Sequence, residues 1–77
     1  MDYVSFTIHG HAREYFPSKE RFRHKVTGET TVRKVLEHLG VNPLLVMYVV
    51  KNGKRVSLDD PITGGDEVVL ITPAAGG

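Results

Sequence analysis

Residues 21–40 read RFRHKVTGETTVRKVLEHLG, and the hydrophobic period changes inside that stretch. Before Gly28 the period is two. Phe22, His24 and Val26 fall on one side of a strand over 20–27, and Arg21, Arg23 and Lys25 on the other. After Gly28 it is about 3.6. Val32, Val35, Leu36 and Leu39 sit at i, i+3, i+4 and i+7, which makes one apolar helical stripe. Thr30 is the expected N-cap and Gly40 the expected left-handed residue after the last turn. Arg33 stands three residues after Thr30, so there is no capping box. Pro43 keeps the helix from continuing.

Upstream, residues 3–9 alternate strictly. Val4, Phe6 and Ile8 would point one way and Tyr3, Ser5, Thr7 and His9 the other, as in a half-buried strand. This strand can pair with 20–27 as an antiparallel hairpin across a loop at 10–19. Downstream, residues 44–50 (LLVMYVV) are a continuous apolar run between Pro43 and Gly53, and predict a strand buried on both faces. Asn52-Gly53 signals a type I′ hairpin, with a returning strand at 54–58. Asp59-Asp60-Pro61 and Gly64-Gly65-Asp66 are turn chemistry. The last strand, 67–72, is apolar on both parities: Val68 and Leu70, but also Val69 and Ile71.

The expected order is β-β-α-β-β-β. A single helix has to cover one face of a sheet of about five strands, which makes an α+β roll. The expected domain is 1–72, followed by a flexible tail at 73–77. One helix leaves the other face of the sheet open, and exposed apolar patches mark partner surfaces. Tyr48, Val50, Val69 and Ile71 are the candidate docking residues. Met47 and Val49 exchange roles with the first two if the parity of that strand is reversed.

Composition narrows the functions. Seventy-seven residues make one small domain, too short for a deep substrate cavity beside an intact core. Lys and Arg number 10 against 9 Asp and Glu, a net charge of +1 that argues against nucleic-acid binding by bulk charge. The chain has no cysteine, which removes disulfides, thiolate metal sites and a cysteine nucleophile of its own. His9, His11, His24 and His38 have no spacing diagnostic of zinc, so no metal is expected. The row Arg21, Arg23, Lys25 reads as a solvated strand face that also discourages edge pairing. Asp59-Asp60 is a turn rather than a catalytic pair, and Gly64-Gly65 lacks the helix that follows a phosphate loop. The uncharged run 41–50 is too short to span a bilayer, and residues 1–3 do not open a signal peptide. A cytoplasmic protein without membrane contact is the expectation.

The ending Thr72-Pro73-Ala74-Ala75-Gly76-Gly77 carries the chemistry. Pro73 stops the strand from extending as a paired one. Residues 73–77 reach about 17 Å when fully extended, and none has a long side chain. A terminal carboxylate is a poor electrophile until it is activated, for example as an acyl-adenylate made with ATP by a separate enzyme. A tail that threads a narrow channel favours glycine, which has no Cβ to collide and accepts φ of either sign.

Three stretches together resemble a known family: HAREYF at 11–16, TTVRKVLEHLG at 30–40, and VVKNGKRVSLDDPITGGDEVVLITPAAGG at 49–77. They are similar to the ubiquitin-like β-grasp proteins of the ThiS/MoaD sulfur-carrier family, a resemblance that implies a mixed sheet. Within it the chain looks most like the small subunit of molybdopterin synthase, whose tails often read Pro-Pro-Val-x-Gly-Gly. Here Thr72 stands in place of the first proline and Ala74 in place of the valine. The resemblance implies a carrier rather than an enzyme, with no permanently bound cofactor. A ubiquitin-activating-type adenylyltransferase would use ATP to adenylate Gly77. A sulfur donor would then replace AMP and leave a thiocarboxylate. Gly76 would serve through its backbone, while Pro73, Ala74 and Ala75 would contact partners. The large subunit of molybdopterin synthase is a further implied partner, and the molybdenum or tungsten cofactor the implied destination of the sulfur. Carriers for thiamine, cysteine or tRNA thiolation, a protein modifier conjugated through Gly77, and a plain β-grasp binding module are the alternatives.

Overall fold

The computed structural model describes residues 2–17 and 20–73. Its strands are β1 (Tyr3–His9), β2 (Arg21–Lys25), β3 (Thr30–Thr31), β4 (Tyr48–Lys51), β5 (Lys54–Val56), β6 (Pro61–Ile62) and β7 (Glu67–Ile71), with one helix, α1 (Val32–Leu39). Short 3-10 turns lie at His11–Tyr15 and Pro43–Leu45. The main sheet has five strands in the order β2-β1-β7-β4-β5, and β3 pairs with β6 in a separate ribbon. The first and last strands run parallel in its interior, and the other pairs are antiparallel. The sheet is crossed by one helix, as periodicity predicts, and it is mixed, as the family resemblance implies.

The core follows from β1. Its alternation sends Val4, Phe6 and Ile8 inward, and pairing carries that parity across the sheet. Phe6 lies beside Val68, Ile8 beside Leu70, and Leu70 beside Val49. All of these are at most 1% exposed and cluster with Val32, Val35 and Leu36 from the helix. Phe22 of β2 stacks on Phe6 with ring centroids 5.0 Å apart. Gly40 ends the helix at φ 75°, in the left-handed region where glycine carries no Cβ penalty. Asn52 and Gly53 both have positive φ, 50° and 84°, as a type I′ turn requires.

Several boundaries and turns differ from the sequence expectation, among them β2, which is Arg21–Lys25 rather than 20–27, and β7, which ends at Ile71 rather than 72. The N-cap is Thr31, not Thr30: its hydroxyl accepts the Lys34 N–H at 3.2 Å, while Thr30 pairs with Ile62. The loop at 10–19 contains the 3-10 turn His11–Tyr15, which buries Ala12. The run 44–50 is not one doubly buried strand. The Asn42 carboxamide accepts the Leu44 N–H at 3.0 Å, and Pro43, with φ preset, opens a 3-10 turn. Leu44 and Met47 are consequently 89% and 62% exposed, and the strand begins only at Tyr48. The returning strand stops at Val56 rather than Leu58, because Ser57 is drawn into a turn by Asp60.

Candidate functional site

The face of the sheet away from the helix is set by the same register. Tyr48 lies opposite Ile71 and Val50 opposite Val69, while Thr7 and His9 flank the last strand from β1. Tyr48, Val50, Val69 and Ile71 are therefore direct cross-strand neighbours, each half-buried, in one apolar strip over β4 and β7. Val49 belongs to the core, and Met47 precedes the strand. Cations rim the strip. Arg21, Arg23 and Lys25 are on the β2 side and Arg55 lies beside Val50 on the other. The Arg55 guanidinium sits 4.5 Å from the Tyr48 ring centre, and that of Arg23 sits 4.9 Å from that of Tyr3.

Beyond Ile71 the chain leaves the sheet through a clasp made of main chain and the Thr72 hydroxyl. Met47 N–H donates to the Ile71 carbonyl at 2.7 Å. Thr72 N–H donates to the His9 carbonyl at 2.8 Å, and the Thr72 hydroxyl donates to the same oxygen at 2.8 Å. That hydroxyl also accepts from Ala12 N–H at 3.3 Å, and the Pro73 carbonyl accepts from His11 N–H at 2.8 Å. Thr72 is only 4% exposed, and these bonds satisfy it. Gly10 stands at φ 106°, ψ −175°, a conformation close to glycine-only. A Cβ there would overlap the carbonyl oxygen and hydroxyl of Thr72. Residues 9–12 thus hold the root of the tail.

Of the sequence candidates, the structure brings Tyr48, Val50, Val69 and Ile71 together. Pro73 lies just past the end of that strip, exposed and tied to His11. Ala74, Ala75, Gly76 and Gly77 lie outside the described residues. Sequence reasoning missed Gly10 and Thr72, reading Gly10 only as the start of a loop and His9 and His11 as histidines without a metal. The usable signal was a glycine placed immediately after an alternating strand.

A sequence model of the ThiS family matches residues 7–77. The chain belongs to the ThiS family. Among solved structures, SAMP1 from Haloferax volcanii shares 25% identity at a TM-score of 0.69, over 97% of this chain and 99% of its own. The Haloferax volcanii HVO 2177 protein shares 25% identity at a TM-score of 0.71, over 99% of this chain and 87% of its own. No curated protein matches the sequence. The fold is the ubiquitin-like β-grasp, and the family supports a ubiquitin-like carrier or modifier, a class that works with activating enzymes. Among the described residues no helix is long and apolar enough to cross a membrane.

In this ThiS-family chain the Gly-Asp-Glu segment before the last strand is structural. The Asp66 carboxylate accepts from Thr63 N–H at 2.8 Å and from the Asn52 amide at 2.9 Å. Asn52 in turn exchanges two bonds with the Glu67 main chain. Partial burial pushes the Asp66 carboxyl up, but the bonds from Thr63 and Asn52 and the nearby Lys51 charge outweigh it and hold it below its usual range. This ties the type I′ hairpin to the start of β7. It sets the register that places Val69 beside Val50.

Proposed function

We propose that this ThiS-family chain is a sulfur carrier whose Gly77 carboxylate is activated and converted by partner proteins. One carboxylate oxygen attacks the α-phosphorus of ATP bound to an adenylyltransferase, pyrophosphate leaves, and an acyl-adenylate forms. The terminal sulfur of a persulfide donor attacks the acyl carbon, AMP leaves, and an acyl disulfide results. A second thiol then attacks the donor's sulfur in that disulfide and frees the C-terminal thiocarboxylate. The chain supplies presentation and not catalysis, and ATP is the partner's substrate rather than a resident cofactor.

The observation that supports this reading is the clasp beside the open face. Thr72 and Pro73 are held at the end of the apolar strip, so a partner seated on Tyr48, Val50, Val69 and Ile71 meets the tail at a defined starting point. Ala74, Ala75 and Gly76 then span the distance to the nucleotide. The Pro-x-x-Gly-Gly pattern at 73–77 supports molybdopterin synthesis as the destination and the large subunit of the synthase as recipient. The test is intact mass after incubation with ATP, the host's adenylyltransferase and a persulfide donor. Exchange of one oxygen for one sulfur at Gly77 is expected. Adducts on lysines of other proteins would show a modifier instead, and an unchanged mass would leave a binding module. Sulfur transfer from the thiocarboxylate to the molybdopterin precursor, in the presence of the synthase large subunit, checks the pathway.

A further inference from the structure

The open face segregates charge as well as apolar surface. Arg21, Arg23 and Lys25 share the outward parity of Thr7, Ser5 and Tyr3, and Arg55 that of Val50. All four cations are exposed. Glu67, beside Ser5, is the carboxylate on this face of the described sheet. Two acidic groups elsewhere are engaged: Asp59 bonds Arg33 of the helix at 2.7 Å, and Asp66 is held by Thr63 and Asn52. Among the described residues none of the four open-face cations pairs with a carboxylate. A net charge of +1 for the whole chain hides this local excess.

One row crosses the entire sheet: Arg21, Thr7, Val69, Val50, Arg55. It has a guanidinium at each end and valines in the middle. Neighbouring strands are about 4.8 Å apart, so the two arginine Cα atoms are separated by about 19 Å. Arg23 and Arg55 lie over Tyr3 and Tyr48, which limits the side-chain entropy they lose when a partner arrives. Nucleic acid is a poor match for this layout. The centre is mostly apolar and carries no cation for a phosphate, and the two tyrosines each have a ring face occupied by an arginine rather than free for a base.

We infer that the protein covering this strip presents an apolar centre flanked on both sides by carboxylates that face Arg21 and Arg23 at one edge and Arg55 at the other. The basic rim steers it into place and the apolar centre holds it. This rests on the reading that the open face docks the enzyme that activates the tail. Charges at the rim of an interface act mainly on the association rate and lose effect with salt, whereas central apolar anchors act on dissociation.

The experiment is stopped-flow association of the full chain with the host's ubiquitin-activating-type adenylyltransferase. It is run at about 0.1 M and about 1 M salt, where the screening length falls from about 10 to about 3 Å. Three proteins are compared: the parent, the triple variant Arg21→Glu/Arg23→Glu/Arg55→Glu, and Val50→Asp. The triple variant is expected to associate at least about tenfold more slowly at low salt, with the gap closing at high salt. Val50→Asp is expected to dissociate faster at both. If Val50→Asp binds like the parent, the open face is not the docking surface, and the reading beneath the inference fails. If Val50→Asp is impaired while the triple variant associates at the parental rate, docking stands and the acidic rim is overturned. A mixed-sequence RNA oligonucleotide is the second probe. Binding of the parent to it more tightly than to the adenylyltransferase, and its loss in the triple variant, would also overturn the inference.

Discussion

The two faces of the sheet are built from the same strands and have different compositions. Toward the helix stand Val4, Phe6, Ile8, Val49, Val68 and Leu70, all sealed from water. Away from it stand Tyr48, Val50, Val69 and Ile71, half-buried and rimmed by Arg21, Arg23, Lys25 and Arg55. In β4 and β7 both sets are apolar, so neither strand declares which set is core. The decision comes from β1, whose polar parity of Ser5 and Thr7 is unambiguous and whose pairing imposes itself on β7 and then β4. Burial belongs to one face and, on the function proposed above, recognition belongs to the other, so substitutions should divide along that line.

The largest effect is expected on the covered face. Phe6 is 1% exposed and stacked on Phe22. Phe6→Ala should cost about 3–5 kcal/mol, a large part of what a domain this small has. Thermal unfolding followed by circular dichroism should show a low, broadened transition or none. Val69→Ala, one strand away on the open face, should cost no more than about 1 kcal/mol. Equal losses would dissolve the distinction between the faces.

Next comes the open face itself. Ile71→Asp should leave a folded domain but weaken docking to the adenylyltransferase by at least about 2 kcal/mol, the threshold for a central anchor. Titration calorimetry beside a melting curve reads both quantities. A variant that unfolds would place Ile71 in the core and reverse the comparison.

How much of this was legible in the sequence depends on the length scale of each signal. The alternation of 3–9, the stripe Val32-Val35-Leu36-Leu39 and the Asn52-Gly53 turn are local patterns with one physical solution each. Together they define the fold. The Asn42-Pro43 turn was not separated from the apolar run behind it, because periodicity weighs Leu44 and Leu45 the same in a 3-10 turn as in a strand. The β3–β6 ribbon joins two residues to two, too few for any period to register. On the site, the candidate strip could be named from parity. The clasp could not, since it joins main-chain groups and one hydroxyl far apart in sequence, and Gly10 announces only that an unusual φ is needed, not what lies against it. Thr72, buried and bonded to residues 9 and 12, looked like the last residue of a strand.

The clasp sharpens the comparison, because it sits where the open face ends. Gly10→Ala would drive a Cβ into Thr72 and force a strained φ, at a cost of about 1–3 kcal/mol. If that strain is expressed in presenting the tail, thiocarboxylate formation should slow by about five- to 150-fold. Docking measured on the same protein should change little, since the strip of Tyr48, Val50, Val69 and Ile71 is untouched. Single-turnover rates and equilibrium binding, taken side by side, give the answer. Losses in both together would mean that the corner supports the whole face and does not specifically aim the tail.

The smallest effect is expected at the edge of the covered face, where burial is incomplete. His24 points inward from β2 with its ring centroid 5.7 Å from that of His38 on the helix. They line a cleft of about 360 Å³ with Lys25, Glu29 and Lys34 among its other walls. Burial first, and repulsion from His38 second, hold the His24 pKa below its usual 6.5. The folded state therefore binds fewer protons than the unfolded chain across the interval between the lowered value and 6.5. Stability should be complete above that interval and fall as pH drops through it, levelling off once the folded state is protonated too. Asp59, paired with Arg33, and Asp66 act in the same direction but only in the carboxylate range, since both are held below 3.8. Urea midpoints between about pH 5 and 8 consequently isolate the histidine contribution. His24→Gln should flatten the profile there. His38→Gln should flatten it only in part, because it removes the repulsion and leaves the burial. An unchanged slope in His24→Gln would place the titrating group elsewhere, and the covered face would then be as indifferent to pH as its apolar residues alone would make it.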